Sequence, residues 1–198
     1  MVMLIRKRSN PVKTSKKIKT RIHRNIKVII SILILIMLLF GGIYALAILK
    51  KSDKDNAEDF AFISLDGNEI HLSSYRGKVV ILDMWAIRCP PCRSQMTELK
   101  KIYDHYTRDE VEIFSIDVDT SETLQQIQDF REVFKNQGGI ELNWIFGKDD
   151  GSIWKKYMTG DGGIPTICIF DQEGNLYFHG EGLKDAELLS QKIDDLLQ

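Results

Sequence analysis

The sequence predicts an α/β domain with a central mixed sheet flanked by helices, preceded by one transmembrane helix. Apolar strands alternate with amphipathic helices in the middle of the domain, an order that implies parallel pairing. A strand pair near each end of the domain surrounds a turn-forming segment, which implies antiparallel hairpins. An uncharged run from Val28 to Leu49 predicts the membrane helix. We therefore divide the chain into a basic tail (1–27), a transmembrane helix (28–49), a linker (50–59) and a folded domain (60–198).

Charge divides the chain at the apolar run. The first 27 residues contain ten Lys and Arg residues and no acid, whereas residues 52–198 contain all 28 Asp and Glu residues. At ~1.5 Å per residue the run is about 33 Å long, enough to cross a hydrocarbon core of about 30 Å. Because basic segments stay in the cytoplasm, we expect a single-pass protein of the cell membrane with a cytoplasmic N-terminus and an extracytoplasmic domain. Such an acidic domain is a poor ligand for nucleic acid.

A cleaved signal peptide is the competing interpretation of the N-terminal segment. Ala45-Leu46-Ala47 resembles a cleavage site. However, the apolar core of a signal peptide is about 7–15 residues long, shorter than this run. The length and the long basic leader favour an uncleaved anchor.

The folded domain is expected to begin with a hairpin. Apolar segments at 60–65 and 70–72 flank Asp66-Gly67, a strong turn signal. Val79 to Met84 is too continuously apolar for a half-exposed strand, which predicts a central strand covered on both faces. Asp83 is its one interruption.

Two strand–helix units follow. The first helix starts at the paired prolines and has one apolar face, formed by Cys92, Met96, Leu99, Tyr103 and Tyr106. Val111–Asp117 is the next predicted strand. A second helix runs through Leu124, Ile127, Phe130 and Phe134 and ends at Gly138-Gly139.

The last third of the chain predicts smaller elements. We expect a strand at 140–146, a short helix at 152–157 and a glycine-rich loop at 158–163. A hairpin of strands 166–170 and 176–179 follows, and an amphipathic helix at 185–198 closes the chain.

The stretch Trp85-Ala86-Ile87-Arg88-Cys89-Pro90-Pro91-Cys92 indicates a redox dithiol. Two cysteines separated by two residues, after a strand and at a helix N-terminus, form a small reversible disulfide, and the helix end lowers the pKa of the outer thiol. A zinc site would need a second pair of ligands at comparable spacing, which the chain lacks. A structural disulfide usually joins more distant segments. Both alternatives are weaker.

The residues Leu82-Asp83-Met84-Trp85-Ala86, the Cys-x-x-Cys motif and Gly163-Ile164-Pro165-Thr166 before a strand together resemble thioredoxin. The leading hairpin, the Arg76-Gly77-Lys78 segment and the extra strand and helix in mid-domain resemble the membrane-anchored TlpA/ResA-like branch. The resemblance covers residues 60–198. It implies a thioredoxin fold with an N-terminal β-hairpin and a mid-domain strand–helix insertion.

That resemblance also implies an activity. Members of the branch are extracytoplasmic thiol-disulfide oxidoreductases, several of which keep thiols reduced for cytochrome c maturation. The implied partners are protein substrates that contain disulfides and a membrane dithiol that donates electrons. The resemblance implies no cofactor and no metal.

Site residues are carried over position by position. Cys89 matches the exposed attacking thiol and Cys92 the buried resolving thiol of the redox-active disulfide. Pro165 matches the cis-proline that brings the Ile164 backbone beside the dithiol to bind a substrate strand. Asp83 matches the buried acid that accepts the proton of the resolving thiol, although a strand-end aspartate in solvent is an equal alternative.

Three further residues have expected roles. Trp85 is expected to serve as core and also as the substrate-binding rim of the site. Arg88 stands where a tryptophan is frequent, and the loop at 159–162 is longer than usual. Both depart from the branch pattern and bear on substrate choice. Cys168 lies in an apolar strand and is expected to be inert.

Two other functions fit parts of the pattern. A copper-binding module of thioredoxin fold would use both cysteines with a late histidine, for which His179 is the candidate, although such carriers space their cysteines differently. A thiol peroxidase is a weaker alternative, because no threonine precedes Cys89 at the spacing that this chemistry uses. The two prolines between the cysteines supply no side-chain donor to the thiolate, so we do not expect one of the strongest oxidants. The anchor and the resemblance to the branch imply a reductant.

Overall fold

A computed structural model describes residues 36–37, 58–158 and 162–198. The chain divides into two units, Met1–Ser52 and Asp53–Gln198. In the first unit only Ile36 and Met37 are described, as helical residues with exposed side chains. The predicted basic tail and the remainder of the predicted span at 28–49 lie outside the described residues. None of the helices within the described ranges is long and apolar enough to cross a membrane.

Seven strands form one mixed sheet in the second unit. Their bounds are β1 Ala61–Ser64, β2 Glu69–His71, β3 Val79–Trp85, β4 Val111–Asp117, β5 Ile145–Lys148, β6 Thr166–Phe170 and β7 Leu176–Glu181. Their order across the sheet is β2-β1-β5-β4-β3-β6-β7. Strand β3 pairs parallel with β4 and antiparallel with β6, and all seven of its residues are buried. The predicted central strand is confirmed.

Within residues 58–158 and 162–198, four α-helices flank the sheet. They are α1 Pro90–His105, α2 Leu124–Gly138, α3 Ser152–Tyr157 and α4 Ala186–Leu197, and a short 3-10 helix covers Leu72–Tyr75. Helix α2 starts with a capping box, in which Thr123 and Gln126 each bond the other's backbone N–H, and it stops at Gly139, whose φ is 67°. Helix α4 starts where Asp185 accepts the N–H of Leu188. The predicted helices are confirmed.

Both predicted hairpins are present. Strands β1 and β2 pair antiparallel through a turn at Gly67, where a φ of 80° favours glycine. Strands β6 and β7 pair antiparallel at the opposite edge of the sheet. The inserted strand β5 lies between β1 and β4, so it joins the N-terminal hairpin to the central strands.

Two boundaries differ from the sequence prediction. The strand expected at 140–146 begins only at Ile145, because the preceding segment packs Leu142 and Trp144 into the core without pairing to a neighbouring strand. The folded unit also starts before residue 60. The backbone N–H of Glu58 donates to the carbonyl of Gly174, and the Asp59 carboxylate accepts the N–H of Ser73.

The two faces of the sheet have different roles. Alternate residues of β3, namely Val79, Ile81 and Trp85, belong to one core layer with both cysteines of the dithiol and with the apolar faces of α1, α2 and α4. The intervening Val80, Leu82 and Met84 belong to a second layer with α3 and the leading hairpin. By this alternation Asp83 lies on the face that carries the dithiol.

Candidate active site

Cys89 and Cys92 form a disulfide at the N-terminus of α1, with Cα atoms 5.3 Å apart. Cys89 is the N-cap residue, and its sulfur accepts the backbone N–H of Cys92 at 3.2 Å. Pro90 and Pro91 occupy the first turn, where a helix needs no backbone N–H. The same hydrogen bond and the helix dipole would stabilise negative charge on the Cys89 sulfur after reduction.

The two cysteines differ in accessibility. Cys89 retains 6% of its surface and Cys92 retains none. Cys89 is therefore less open than its predicted role suggested, yet it is the sulfur of the pair that a substrate can reach.

The segment before β6 faces this sulfur. The Ile164–Pro165 peptide bond is cis, as the resemblance implied. The carbonyl oxygen of Ile164 lies 3.7 Å from the Cys89 sulfur. In the disulfide the sulfur carries no proton, so this is a contact rather than a hydrogen bond. The fold thus brings Cys89, Ile164 and Pro165 to one place.

Asp83 is fully buried, so the alternative of a strand-end aspartate in solvent is wrong. Its Oδ2 accepts the hydroxyl of Ser115 at 2.7 Å, and the Ser115 oxygen accepts the indole N–H of Trp144 at 2.9 Å. Its Oδ1 has no hydrogen-bond partner in the described part of the chain. Burial raises the pKa of Asp83 to about 7, against the opposing effect of the Ser115 hydroxyl.

Trp85 belongs wholly to the core. Its indole is fully buried and packs against Phe130 and Phe146, with ring centres 4.8 and 5.8 Å away. The part of the prediction that placed it at the rim is not met, because none of its surface reaches solvent. A tryptophan that sequence reasoning missed, Trp154, is 37% exposed and lines a cleft of about 370 Å³ together with Ile164. A six-residue helix shows too little periodicity to predict which side chains face outward.

Arg88 pairs with acidic side chains beside the dithiol. Its guanidinium lies 3.4 Å from an oxygen of Asp119 and 3.8 Å from one of Glu122, and the side chain is 78% exposed. The charge is therefore shared with two acids and screened by solvent, so it adds little to the stability of a Cys89 thiolate.

Glu122 supports the chain just before the dithiol, and sequence reasoning did not identify it. Its buried carboxylate accepts the backbone N–H of Ile87 at 2.9 Å. Burial and then the Glu122 carboxyl raise the pKa of the neighbouring buried Asp117 to about 8. Strands β3 and β4 are parallel, so the segments that follow them lie side by side at one edge of the sheet. This placement could have predicted that acids after β4 lie beside the Ile87 segment after β3.

The described residues do not form the copper site that was considered, in which His179 would join the two cysteines. His179 Nε2 lies 2.8 Å from the carbonyl oxygen of Tyr157. Cys168 is a free, buried cysteine, and burial raises its pKa to about 12, in agreement with the predicted inert role. Across the ranges that the structure describes, no three His, Cys, Asp or Glu side chains are grouped so that they could hold a metal ion.

Known proteins are similar to this chain in sequence and fold. The model of the AhpC/TSA family matches residues 54–179. Thiol-disulfide oxidoreductase ResA of Geobacillus thermodenitrificans is 29% identical over 140 residues, which cover 71% of this chain and 75% of that protein.

Solved structures give the same result. The crystal structure of StoA from Bacillus subtilis is 26% identical, has a TM-score of 0.55 and covers 68% of this chain and 96% of its own. A putative protein disulfide isomerase from Bacteroides thetaiotaomicron is 31% identical, has a TM-score of 0.58 and covers 71% of this chain and 87% of its own. These similarities agree with a disulfide that joins Cys89 to Cys92 beside a cis-proline. The chain belongs to the AhpC/TSA family, within the thioredoxin superfamily.

Proposed function

We propose that this thiol-disulfide oxidoreductase reduces disulfides of other proteins outside the cytoplasm while it is anchored to the membrane. The observation that carries the exchange chemistry is the Cys89–Cys92 disulfide at the N-terminus of α1, with only Cys89 accessible of the two sulfurs. The relative named ResA supports the enzyme class. The basic tail ahead of an uncharged run supports the location.

The reaction is two successive thiol–disulfide exchanges. The Cys89 thiolate attacks one sulfur of the substrate disulfide, that S–S bond breaks, and the released substrate thiolate takes a proton from solvent. A mixed disulfide now joins Cys89 to the substrate. Cys92 then loses its proton to the Asp83 carboxylate and attacks the Cys89 sulfur, which releases the second substrate sulfur as a thiolate that takes a proton from solvent. Two electrons have passed to the substrate, and the enzyme disulfide is formed.

Each further residue of the site has a task in this scheme. The Ile164 backbone beside Cys89 would pair with an extended substrate segment, with Pro165 holding that backbone in place. The pKa of about 7 at Asp83 suits a group that takes up and returns a proton at neutral pH. A dithiol partner in the membrane would reduce the enzyme disulfide again, and cytochrome c maturation is one pathway that needs such a reductant.

The exchange chemistry is tested by catalysed reduction of insulin with dithiothreitol. The full-length protein should accelerate it well above the uncatalysed rate. No acceleration at any concentration of the protein would contradict the proposed activity.

The direction of exchange is tested by equilibrating the protein with glutathione buffers. We expect a midpoint near −270 mV, the reducing end of the range known for this fold, because Pro90 and Pro91 offer the Cys89 thiolate no side-chain hydrogen bond. Thiol alkylation and mass measurement would give the reduced fraction. A midpoint near about −120 mV would overturn the assignment as a reductant and leave the exchange chemistry in place.

The location is tested by the mass of the mature protein and its distribution between membrane and supernatant. We expect an intact N-terminus and recovery in the membrane fraction, since the run at 28–49 is longer than the core of a signal peptide. A mature N-terminus near Ile48 would contradict the anchor.

A further inference from the structure

A buried relay of hydrogen bonds, formed by Trp144, Ser115 and Asp83, connects three elements of the domain. It ends at Asp83, the candidate proton acceptor. Trp144, in the segment before β5, donates its indole N–H to Ser115 of β4 at 2.9 Å, and Ser115 donates its hydroxyl to Asp83 of β3 at 2.7 Å. Asp83 and Ser115 are direct partners in the register of the two parallel strands. All three residues are buried, so bulk water does not compete for these hydrogen bonds.

The chemistry of the three groups fixes the direction of the chain. An indole N–H is a donor only, whereas a hydroxyl has one proton and two acceptor lone pairs. The Ser115 oxygen therefore uses one lone pair to accept from Trp144, and its single proton is available to the ionised Asp83 carboxylate. Without the indole both lone pairs are available, so the hydroxyl can turn more readily to accept a proton from a neutral Asp83.

We propose that Trp144 is a positioning residue of the dithiol site, whose N–H holds the Ser115 hydroxyl as a donor to Asp83 Oδ2 and leaves Oδ1 as the oxygen that exchanges the proton. This inference rests on the proposed function in one respect, which is the role of Asp83 as proton acceptor for Cys92. The free state of Oδ1, which has no partner among the described residues, agrees with it.

The predicted consequence is electrostatic. A hydroxyl that the indole N–H favours as a donor stabilises the carboxylate more than the neutral acid, so it opposes the rise in pKa that burial causes at Asp83. Loss of the Ser115 hydroxyl should raise the pKa of Asp83 by about one unit, and loss of the Trp144 N–H should raise it by about half a unit.

Other charged or titratable groups lie near this hydrogen-bond chain in the described part of the domain. Helix α1 contributes Tyr103, whose ring centre lies 5.7 Å from that of Trp144, and α2 contributes Arg131, whose guanidinium lies 4.9 Å from the centre of the Phe146 ring. Asp117 lies further along β4 with Glu122 beside it. Strand β6 and helix α4 present apolar side chains, which are Ile167, Ile169, Leu189 and Ile193. Asp117 is the group whose titration must be separated from that of Asp83.

The first experiment compares the wild-type protein with one variant, Asp83→Asn. In the full-length oxidised protein, the indole N–H resonance of Trp144 is followed by NMR as the pH is raised, together with the carboxyl carbon of Asp83. We expect the two signals to shift with one midpoint, and the indole shift to vanish in Asp83→Asn while the titration of Asp117 persists. A Trp144 signal that is independent of pH, or that titrates unchanged in Asp83→Asn, would overturn the proposal. The exposed indole of Trp154 is the internal comparison.

The second experiment separates the N–H from packing. Trp144→Phe should raise the Asp83 midpoint in the wild-type background and have almost no effect in Ser115→Ala. Phe146→Leu is the matched control, because Phe146 stacks on Trp144 with ring centres 5.7 Å apart but is no part of the hydrogen-bond chain. It should lower stability and leave the midpoint in place. The relay would be contradicted if Phe146→Leu shifted the Asp83 midpoint as much as Trp144→Phe does. It would also be contradicted if Trp144→Phe shifted that midpoint equally in the wild-type and Ser115→Ala backgrounds.

These readouts are independent of turnover. If Asp83→Asn retained full insulin reduction while the indole still followed the Asp83 titration, the role of Asp83 in catalysis would fail and the relay would stand. If insulin were reduced normally and the indole did not respond, the relay alone would fail.

Discussion

Replacement of Cys89 by serine should lower insulin reduction by a factor of at least about 10³, to the uncatalysed rate. A serine hydroxyl supplies almost no anion near neutral pH, whereas a thiol at a helix N-terminus is largely ionised. The hydrogen bond from the Cys92 N–H, at 3.2 Å in the disulfide, favours that ionised form of Cys89. The measurement is the initial rate of insulin precipitation with dithiothreitol, over a range of protein concentrations.

The second cysteine should behave differently. Cys92→Ser retains the attacking thiol and lacks the one that resolves the mixed disulfide, so a covalent complex with substrate should accumulate and be visible on a non-reducing gel. Cys168→Ala is the matched control, because this free cysteine is buried on the opposite core layer and should not affect the rate. Full activity in both Cys89→Ser and Cys92→Ser would show that the dithiol is not the active site.

Local patterns were sufficient to predict most of the fold. The unbroken apolar run from Val79 predicted a buried central strand, and the spacing from Leu124 to Phe134 with glycine at 139 predicted the second helix and its end. Both signals arise within one element, where side-chain period and capping chemistry act over a few residues. The redox motif is local in the same way, because Cys89 and Cys92 are three residues apart.

The surroundings of the dithiol depend on contacts that no local pattern contains. Ser115 lies 32 residues from Asp83 in the chain, and Trp144 lies 29 residues from Ser115. Glu122 is 35 residues from the Ile87 N–H that it accepts. Each of these polar residues stands in a sequence context typical of a strand, turn or helix start, and only strand order and register bring them to one site.

The prediction that a strand begins at residue 140 was wrong for a related reason, since the strand begins at Ile145. Residues 140–146 alternate in polarity as a half-exposed strand does, and Leu142 and Trp144 are indeed buried. Yet the carbonyl of Leu142 accepts the Arg131 guanidinium of α2 at 2.6 Å instead of a neighbouring strand. Alternation predicts which side chains are buried, and it does not predict the partner of the backbone.

The largest expected effect on stability concerns the ionisation of Asp83. Its pKa is raised to about 7 in the folded protein from an ordinary value of 3.8, so the folded state holds this proton over a pH range in which the unfolded chain has released it. The associated stability is complete below the ordinary value and is lost as the pH rises through the folded value. The shift of roughly three units corresponds to about 4 kcal/mol.

Asp83→Asn removes this titration, so its stability relative to the wild type should increase by about 4 kcal/mol between pH 4 and pH 8. The measurement is urea unfolding of both oxidised proteins at several pH values, with the difference plotted against pH. Asp117→Asn is the control, because Asp117 is also buried, has a pKa raised to about 8 and lies further along the adjacent strand. That variant should lose the Asp117 contribution, which runs from the ordinary value of 3.8 to about 8, and keep the part due to Asp83. A difference between Asp83→Asn and the wild type that stays constant from pH 4 to pH 8 would mean that Asp83 titrates as it does in solvent. Its assignment as a buried proton acceptor would then fail.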